Sequence, residues 1–453
     1  MKVKHYNVFV IGSGIAGQTV AEICAKNKLK VAIADNREYG GTCANRGCDP
    51  KKILVQFSSL LQRCKQLEHS GIIKPPKISW SDVQKFKNKF VQSIPIETEK
   101  NLQNLHVDLY HQSPEFISEN EVLVEGKTIS ADYFVIATGK VPRKLKIKGN
   151  KHVETSDSIL NLNKIPKTAS FIGSGYVGME FATMLAILGS KVTVFEHGST
   201  ALKNFDPFLV EALINKMKSL GVTFIFNAKI EKIEALNKNK RVHYTLKGKK
   251  QKLKSRKVFN TAGRIPSIKK LKLENANIEA NDGGILVNDY LQSKTNSKVY
   301  ACGDVSSLSL PLTPLSGLQG HITGENIINN NSKKFQFPLV PSTVFTQPNL
   351  SMVGLQEEEA KKRYKHINVY KGKVPGWFNA KKANEDTYAF KIISNKRTDV
   401  IVGAHILSEK ANENINIFTM AISKGITVSE FKKLIFTYPS YTNDLKSMMA
   451  NND

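Results

Sequence analysis

Two glycine-rich turns of the form Gly-x-Gly-x-x-Gly lie about 160 residues apart, each between an apolar strand and a helical run. From about Phe335 the chain continues with strands and helices but no further turn of this kind. Together these features predict an α/β chain: two nested Rossmann-like dinucleotide-binding domains followed by a C-terminal α+β domain. The 453 residues suit about three domains, each with room for its own core.

Residues 7–35 read as strand, glycine turn, helix and strand. The turn is Gly12-Ser13-Gly14-Ile15-Ala16-Gly17, and Asp35 closes the next strand 23 residues after Gly12. Glycines there permit a tight turn and close approach of a pyrophosphate to the helix N-terminus, while Asp35 suits an adenosine ribose. Residues 51–110 look helical, as a Lys-rich hairpin broken around 71–76. Short strands at 122–124 and 133–137 lead to Ala137-Thr138-Gly139. A second strand-turn-helix-strand unit fills 169–196, built on Gly173, Gly175 and Gly178 with Glu196 at the same offset. A carboxylate at that place accepts from the free ribose 2′-OH of NAD and repels the 2′-phosphate of NADP; His197 beside it softens the preference. Strands run on to Gly263-Arg264, and a first-domain pattern resumes near Val299. The expected segments are 1–148 and 267–334 for the first nucleotide-binding domain, 149–266 for the second and 335–453 for the C-terminal domain.

Hydrophobic residues make up 41% and charged residues 23%, an ordinary globular profile. No apolar run reaches the ~18 residues of a membrane span. A strand begins almost at the N-terminus, which leaves no room for a signal peptide and points to the cytoplasm. The formal charge of +27 invites a nucleic-acid reading. However, only nine of the 66 basic residues are Arg, and the densest run, 247–257 (KGKKQKLKSRK), has no interleaved aromatics. It reads as the solvated face of a hairpin, so neither nucleic acid nor membrane is expected as a partner. The overall charge should steer anionic small molecules inward.

Five cysteines, an odd and sparse number, fit a reducing compartment where a disulfide is catalytic rather than structural. Cys24, Cys64 and Cys302 sit in apolar or helical settings and read as buried bystanders. Cys43 and Cys48 differ. A Cys-x4-Cys alone can bind metal or form a structural bridge. Here a helix-like run from Lys51 to Glu68 puts the second sulfur at a helix N-terminus, where the macrodipole favours thiolate.

These motifs in this order resemble the flavoprotein disulfide reductases: dihydrolipoamide dehydrogenase, glutathione reductase and mercuric reductase. The likeness spans nearly the full length. It rests on GGTCxNxGCxPxK at 40–52, ATGxxP at 137–142, GxGxxGxE at 173–180, GRxP at 263–266, CGD at 302–304, LTP at 312–314 and VFTQP…VGL…EEEA at 344–360. The resemblance implies FAD in the first site, held through Gly12, Gly14, Gly17, Asp35, Gly41, Thr42, Thr138, Gly139, Asp304 and Thr313. It implies a nicotinamide nucleotide in the second, NADH rather than NADPH, held through Gly173, Gly175, Gly178, Glu196, Gly263 and Arg264. It also implies a redox-active disulfide, with Cys48 next to the flavin and Cys43 as the interchange thiol. Lys52 would pair with Glu180, and Tyr176 would lie over the flavin as a lid. A homodimer is implied, with each active site completed by the partner subunit.

The C-terminus departs from the family. Where dithiol-exchanging members carry His-Pro and then Glu five residues after the His, this chain reads Tyr438-Pro439-Ser440-Tyr441-Thr442-Asn443-Asp444. Tyr438 takes the His place; Asn443 takes the Glu place unless Asp444 substitutes by a one-residue shift. A phenol of pKa near 10 is a poor base at neutral pH. Mercuric reductases have a Tyr here too, but their C-terminal cysteine pair has no counterpart in 448–453. Glutathione is disfavoured further, because His321 stands where a carboxylate-binding Arg is expected. No His cluster offers a metal constellation. The acceptor is therefore an unidentified small molecule: a disulfide or dithiol first, with a metal ion or quinone, or lipoamide handled without the His, as alternatives.

Overall fold

The computed structural model describes residues 3–450; the outermost residues of the first and last expected segments, 1–2 and 451–453, lie outside it. The fold is α/β and divides into two compact units. One takes residues up to 53, 84–143 and 263–337; the other takes 54–83, 144–262 and 338 onward.

The first unit is built on a seven-stranded sheet. Strand β1 (Lys4–Ile11), helix α1 (Ile15–Lys26) and strand β2 (Val31–Ala34) form its opening unit. From one edge the strands run Asp108–Tyr110, β2, β1, Lys127–Ile136, Glu121–Val124 and Glu115–Ser118; Val299–Ala301 also pairs with Lys127–Ile136. The central strands are parallel, with Val10 opposite both Ile33 and Val135, and Tyr300 opposite Val135. Parallel strands covered on both faces need continuous apolar runs, and β2 (VAIA) is buried throughout. Because Val299–Ala301 joins this sheet after the second glycine turn has passed, one nucleotide-binding fold is interrupted by another.

The stretch expected to be a helical hairpin is more broken. Helix α2 (Gly41–Arg46) and helix α3 (Cys48–Gln66) are followed by helices Trp80–Val91 and Ile94–Asn104, then by the strand Asp108–Tyr110. The extra break has a local cause: Pro95 opens the helix Ile94–Asn104, where its missing N–H costs nothing.

In the second unit a four-stranded parallel sheet orders Val222–Ile225, Lys191–Phe195, Thr168–Ile172 and Lys257–Asn260. A three-stranded antiparallel sheet, Ala228–Ala235, Lys240–Leu246 and Lys249–Ser255, forms the expected hairpin. Its outer strand carries exposed Lys249, Lys250, Lys252 and Lys254, and none of the four has an ion-pair partner among the described residues. Leu253 of the same strand packs against a core that holds Ile233, Val242 and Tyr244. The C-terminal part is a five-stranded antiparallel sheet, Ser342–Val344, Asn349–Gly354, Ile401–Ser408, Ala389–Asn395 and Ile367–Lys373, with helices such as Ala411–Ser423. Within this unit the buried Lys391 ammonium lies 2.7 Å from the buried Asp206 carboxylate and 2.9 Å from Glu357. Asp206 also caps the helix Pro207–Ser219 by accepting from Phe208 N and Leu209 N.

Candidate active site

The first glycine turn is fixed by steric demand. Gly12 has φ +108°, and a side chain there would meet Ala137 O at 2.4 Å; a Cβ on Gly17 would stand 1.9 Å from Gly12 O. Gly14 starts α1 with no side-chain cap, which leaves the helix's first N–H groups to an anion. Asp35 Oδ2 accepts from Ser13 N (2.8 Å) and Ser13 Oγ (2.7 Å), and Oδ1 accepts from Arg37 N. Thr138 Oγ1, at the end of the adjoining strand, is enclosed and has no hydrogen-bond partner among the described residues. An open helix N-terminus, a cradle that any Cβ would fill and an orphaned hydroxyl together fit a bound dinucleotide.

The redox segment packs against this turn. A Cβ on Gly41 would lie 2.5 Å from Gly14 Cα, so α2 rests backbone to backbone on the glycine loop. Asn45 Nδ2 donates to Tyr39 O and Gly41 O, and Arg46 pairs with Glu38. Thr42 is exposed on α2. Gly47 ends α2 because a side chain there would strike Thr42 O at 2.8 Å. Helix α3 then begins at Cys48 itself, three residues earlier than the sequence suggests, so this sulfur sits on the first turn.

Both cysteines are free thiols. Thr313, the first residue of the helix Thr313–Ile328, donates its hydroxyl to Cys43 Sγ at 3.0 Å. A hydrogen bond from Cys43 is the main cause that brings the Cys48 thiol down to about 6; burial opposes it, and the Lys51 charge, the Thr313 hydroxyl and the Lys52 charge add to it. The same hydrogen bond and burial push the Cys43 thiol up. At neutral pH the pair is therefore a Cys48 thiolate beside a Cys43 thiol. Cys24 and Cys302 are buried as expected, and burial raises both thiols; Cys64 is only half-buried.

Arg264, assigned from sequence to the nicotinamide nucleotide, lies in the first unit with Gly263. Its guanidinium pairs with Asp304 Oδ2 at 3.0 Å and donates to Lys140 O. Ser316 Oγ reaches Asp304 Oδ1 at 3.3 Å. Gly139 has φ +62°, and its carbonyl accepts from Ser267 N.

The second turn repeats the first. Gly173 has φ +103°, and a Cβ on Gly178 would meet Gly173 O at 2.5 Å. Gly175 starts the helix Tyr176–Ile187, whose first residue, Tyr176, is half-buried. Glu196 Oε2 accepts from Ser174 N (3.1 Å) and Ser174 Oγ (2.6 Å), while Oε1 accepts from Gly198 N and lies 2.8 Å from His197 Nδ1. Burial works against the charge, yet these donors together hold the Glu196 carboxyl below its ordinary range. Glu180 is buried and accepts from Phe345 N at 3.1 Å. Lys52 belongs to the first unit and Glu180 to the second. Tyr438 stands well out, 73% exposed, just ahead of the helix Tyr441–Ser447. Asp444 is committed within its own domain, accepting from Asn379 Nδ2 and Tyr388 OH.

Sequence reasoning overlooked Ser13 and Ser174. Their signal was present: Ser fills the first x of both Gly-x-Gly turns, where its hydroxyl and N–H reach the acid at the next strand's end. It also passed over Asp49, whose Oδ1 lies 4.0 Å from Cys43 Sγ.

Residues 6–320 match the family model described as pyridine nucleotide-disulphide oxidoreductase, and 340–449 match its dimerisation domain. A mercuric reductase from Bacillus cereus is 30% identical over 97% of this chain and 70% of its own length. A glutathione reductase from Nostoc sp. is 30% identical over 98% and 99%. A dihydrolipoyl dehydrogenase from Staphylococcus aureus is 28% identical over 96% and 94%. Among solved structures, the Cu(II) complex of a Cys-to-Ser mutant of the HOCl-induced flavoprotein disulfide reductase RclA from Escherichia coli superposes with a TM-score of 0.89, at 29% identity and 100% coverage of both chains.

Proposed function

The chain belongs to the pyridine nucleotide-disulphide oxidoreductase family, and on that premise we propose that it is an NADH-dependent reductase that passes electrons through Cys43 and Cys48 to a disulfide acceptor. The observation that carries this reading is the charge asymmetry of the dithiol. Cys48 is held as thiolate at the start of α3, while its hydrogen bond to Cys48 and burial hold Cys43 as thiol, against the pull of the Thr313 hydroxyl.

FAD, when bound, would accept hydride from the nicotinamide and relay two electrons to the sulfur pair. The Gly12–Gly17 turn, Asp35, Thr138 and Asp304 would hold it. Gly173, Gly175 and Gly178 would cradle the nicotinamide nucleotide, and the ionised Glu196 supports NADH over its 2′-phosphate. Tyr176 would cover the reaction site, and Lys52 with Glu180 would supply a charge pair beside it. We assign 1–148 and 267–334 to the flavin domain, 149–266 to the nicotinamide domain and 335–453 to the interface domain. The active form would be a cytoplasmic homodimer in which the exposed phenol of Tyr438 faces the partner's dithiol. That phenol, standing where imidazole is usual, favours a second reading in which a metal ion or quinone is the acceptor.

The test is steady-state oxidation of NADH and NADPH by the holoprotein with lipoamide, glutathione disulfide, an aromatic disulfide, Hg(II) and quinones. Expected are NADH-driven turnover with a disulfide and a loss on the order of 10³-fold or more in Cys43→Ser. Disulfide turnover that survives Cys43→Ser would refute the proposal.

A further inference from the structure

We propose that Asp49 is the proton-transfer group for the interchange thiol Cys43, performing within the same chain the task for which Tyr438 is chemically unsuited. The inference rests on the reading that a disulfide is reduced at Cys43. Asp49 lies on the first turn of α3, next to Cys48 in sequence, with Oδ1 4.0 Å from Cys43 Sγ. That sulfur also receives the Thr313 hydroxyl at 3.0 Å. Cys43 thus touches both a donor and an acceptor; the sulfur's residue is half-buried and Asp49 is exposed.

An acid in the first turn of a helix is common, because it complements the dipole. Two features set this one apart: its reach to the reacting sulfur, and a carboxyl that burial raises above its ordinary value, closer to the pH at which it must work. The other titratable group that acts on Cys43 is Cys48, and Lys51 and Lys52 act on Cys48 in turn.

With the pair reduced, the Asp49 carboxylate takes the Cys43 S–H proton as that sulfur attacks a disulfide R–S–S–R′. A Cys43–S–S–R bond forms, the substrate S–S bond breaks, and the leaving R′–S⁻ takes the proton back from Asp49 as R′SH. The Cys48 thiolate then attacks Cys43 Sγ, restoring the internal disulfide and expelling R–S⁻, which is protonated from solvent. The electrons are those supplied by the nicotinamide nucleotide, so NADH, H⁺ and one disulfide give NAD⁺ and two thiols.

Two disulfide probes separate proton transfer from structure. An alkyl disulfide expels a basic thiolate that needs a proton, whereas an aromatic disulfide expels a stable thiolate that does not. In the holoenzyme, Asp49→Asn should lower kcat on bis(2-hydroxyethyl) disulfide by about 10²-fold or more, but lower it only about threefold on the aromatic probe, and Asp49→Glu should restore much of the loss. An equal fall on both probes, or on neither, overturns the role. If the wild type reduces neither probe, the disulfide-acceptor reading itself fails, and alkylation decides the Asp49–Cys43 coupling. In dithiothreitol-reduced protein the Cys43 alkylation profile should move to lower pH in Asp49→Asn, because a negative charge that opposes its thiolate has gone. An unmoved profile overturns the inference.

Discussion

The two glycine turns are nearly superimposable in description and differ in what lies against them. Each has a left-handed glycine at its head, Gly12 at φ +108° and Gly173 at +103°, and a helix-starting glycine in the same extended conformation, Gly14 and Gly175. Each ties its serine to an acid at the end of the next strand through both N–H and hydroxyl. Yet Gly14 is pressed by the backbone of Gly41, which brings the cysteine helix onto the first turn. Gly175 has no heavy atom within 4 Å of a Cβ placed on it. The two turns thus share one geometry, and the first carries the cysteine helix against it while Gly175 faces open space. The docked segment, and not the turn, makes the difference.

The largest expected effects come from breaking each turn alone. Gly17→Ala, whose Cβ meets a backbone carbonyl at 1.9 Å, should strip flavin from the purified protein, with its visible absorbance per chain falling about tenfold or more. Gly178→Ala should keep the flavin while raising KM for the nicotinamide nucleotide about tenfold. If Gly178→Ala loses flavin as readily, the assignment of the two turns is wrong.

A smaller change should sharpen the contrast between the two acids. Glu196→Gln keeps an acceptor for Ser174 but removes the charge. The ratio of kcat/KM for NADPH over NADH should rise on the order of tenfold, from the 1.5–3 kcal/mol of a hydrogen bond to a charged group. Steady-state kinetics with both nucleotides would read it; an unchanged ratio would mean that Glu196 does not select the ribose.

The smallest effect is a pH midpoint. The Cys48 thiol is depressed to about 6, so its thiolate persists from alkaline pH downward and is lost as pH falls through about 6. Alkylation of the dithiothreitol-reduced protein, with Cys48 followed by peptide mass spectrometry, should show that midpoint. It should be the same in Gly178→Ala, whose added Cβ meets Gly173 O and the Thr261 side chain.

Much of this site was legible in the sequence because its residues answer steric demands that few alternatives meet. Gly12, Gly17, Gly173 and Gly178 have no room for a Cβ, and Cys48 at a helix start follows from the pattern around it. Other features depend on tertiary contacts that no linear pattern marks. Helix α2 is six residues long and is bounded by Gly40 and Gly47, whose conformations answer to Ile94 and Thr42. No periodicity marks so short an element. Arg264 reads as a nucleotide ligand in its motif, and its pairing with Asp304, 40 residues on, is not marked there. The Thr313 contact with Cys43 joins positions 270 residues apart, and the buried Lys391–Asp206 pair likewise joins distant segments.

The lysine-rich outer strand, Lys249–Ser255, has a consequence for the protein in concentrated solution. A strand at the margin of a sheet leaves backbone donors and acceptors open to pairing with a neighbour, the usual start of edge-to-edge aggregation. Bringing two such margins together here would set like charges face to face with no carboxylates to neutralise them. The repulsion guards the chain against templated self-association, and added salt would weaken that guard.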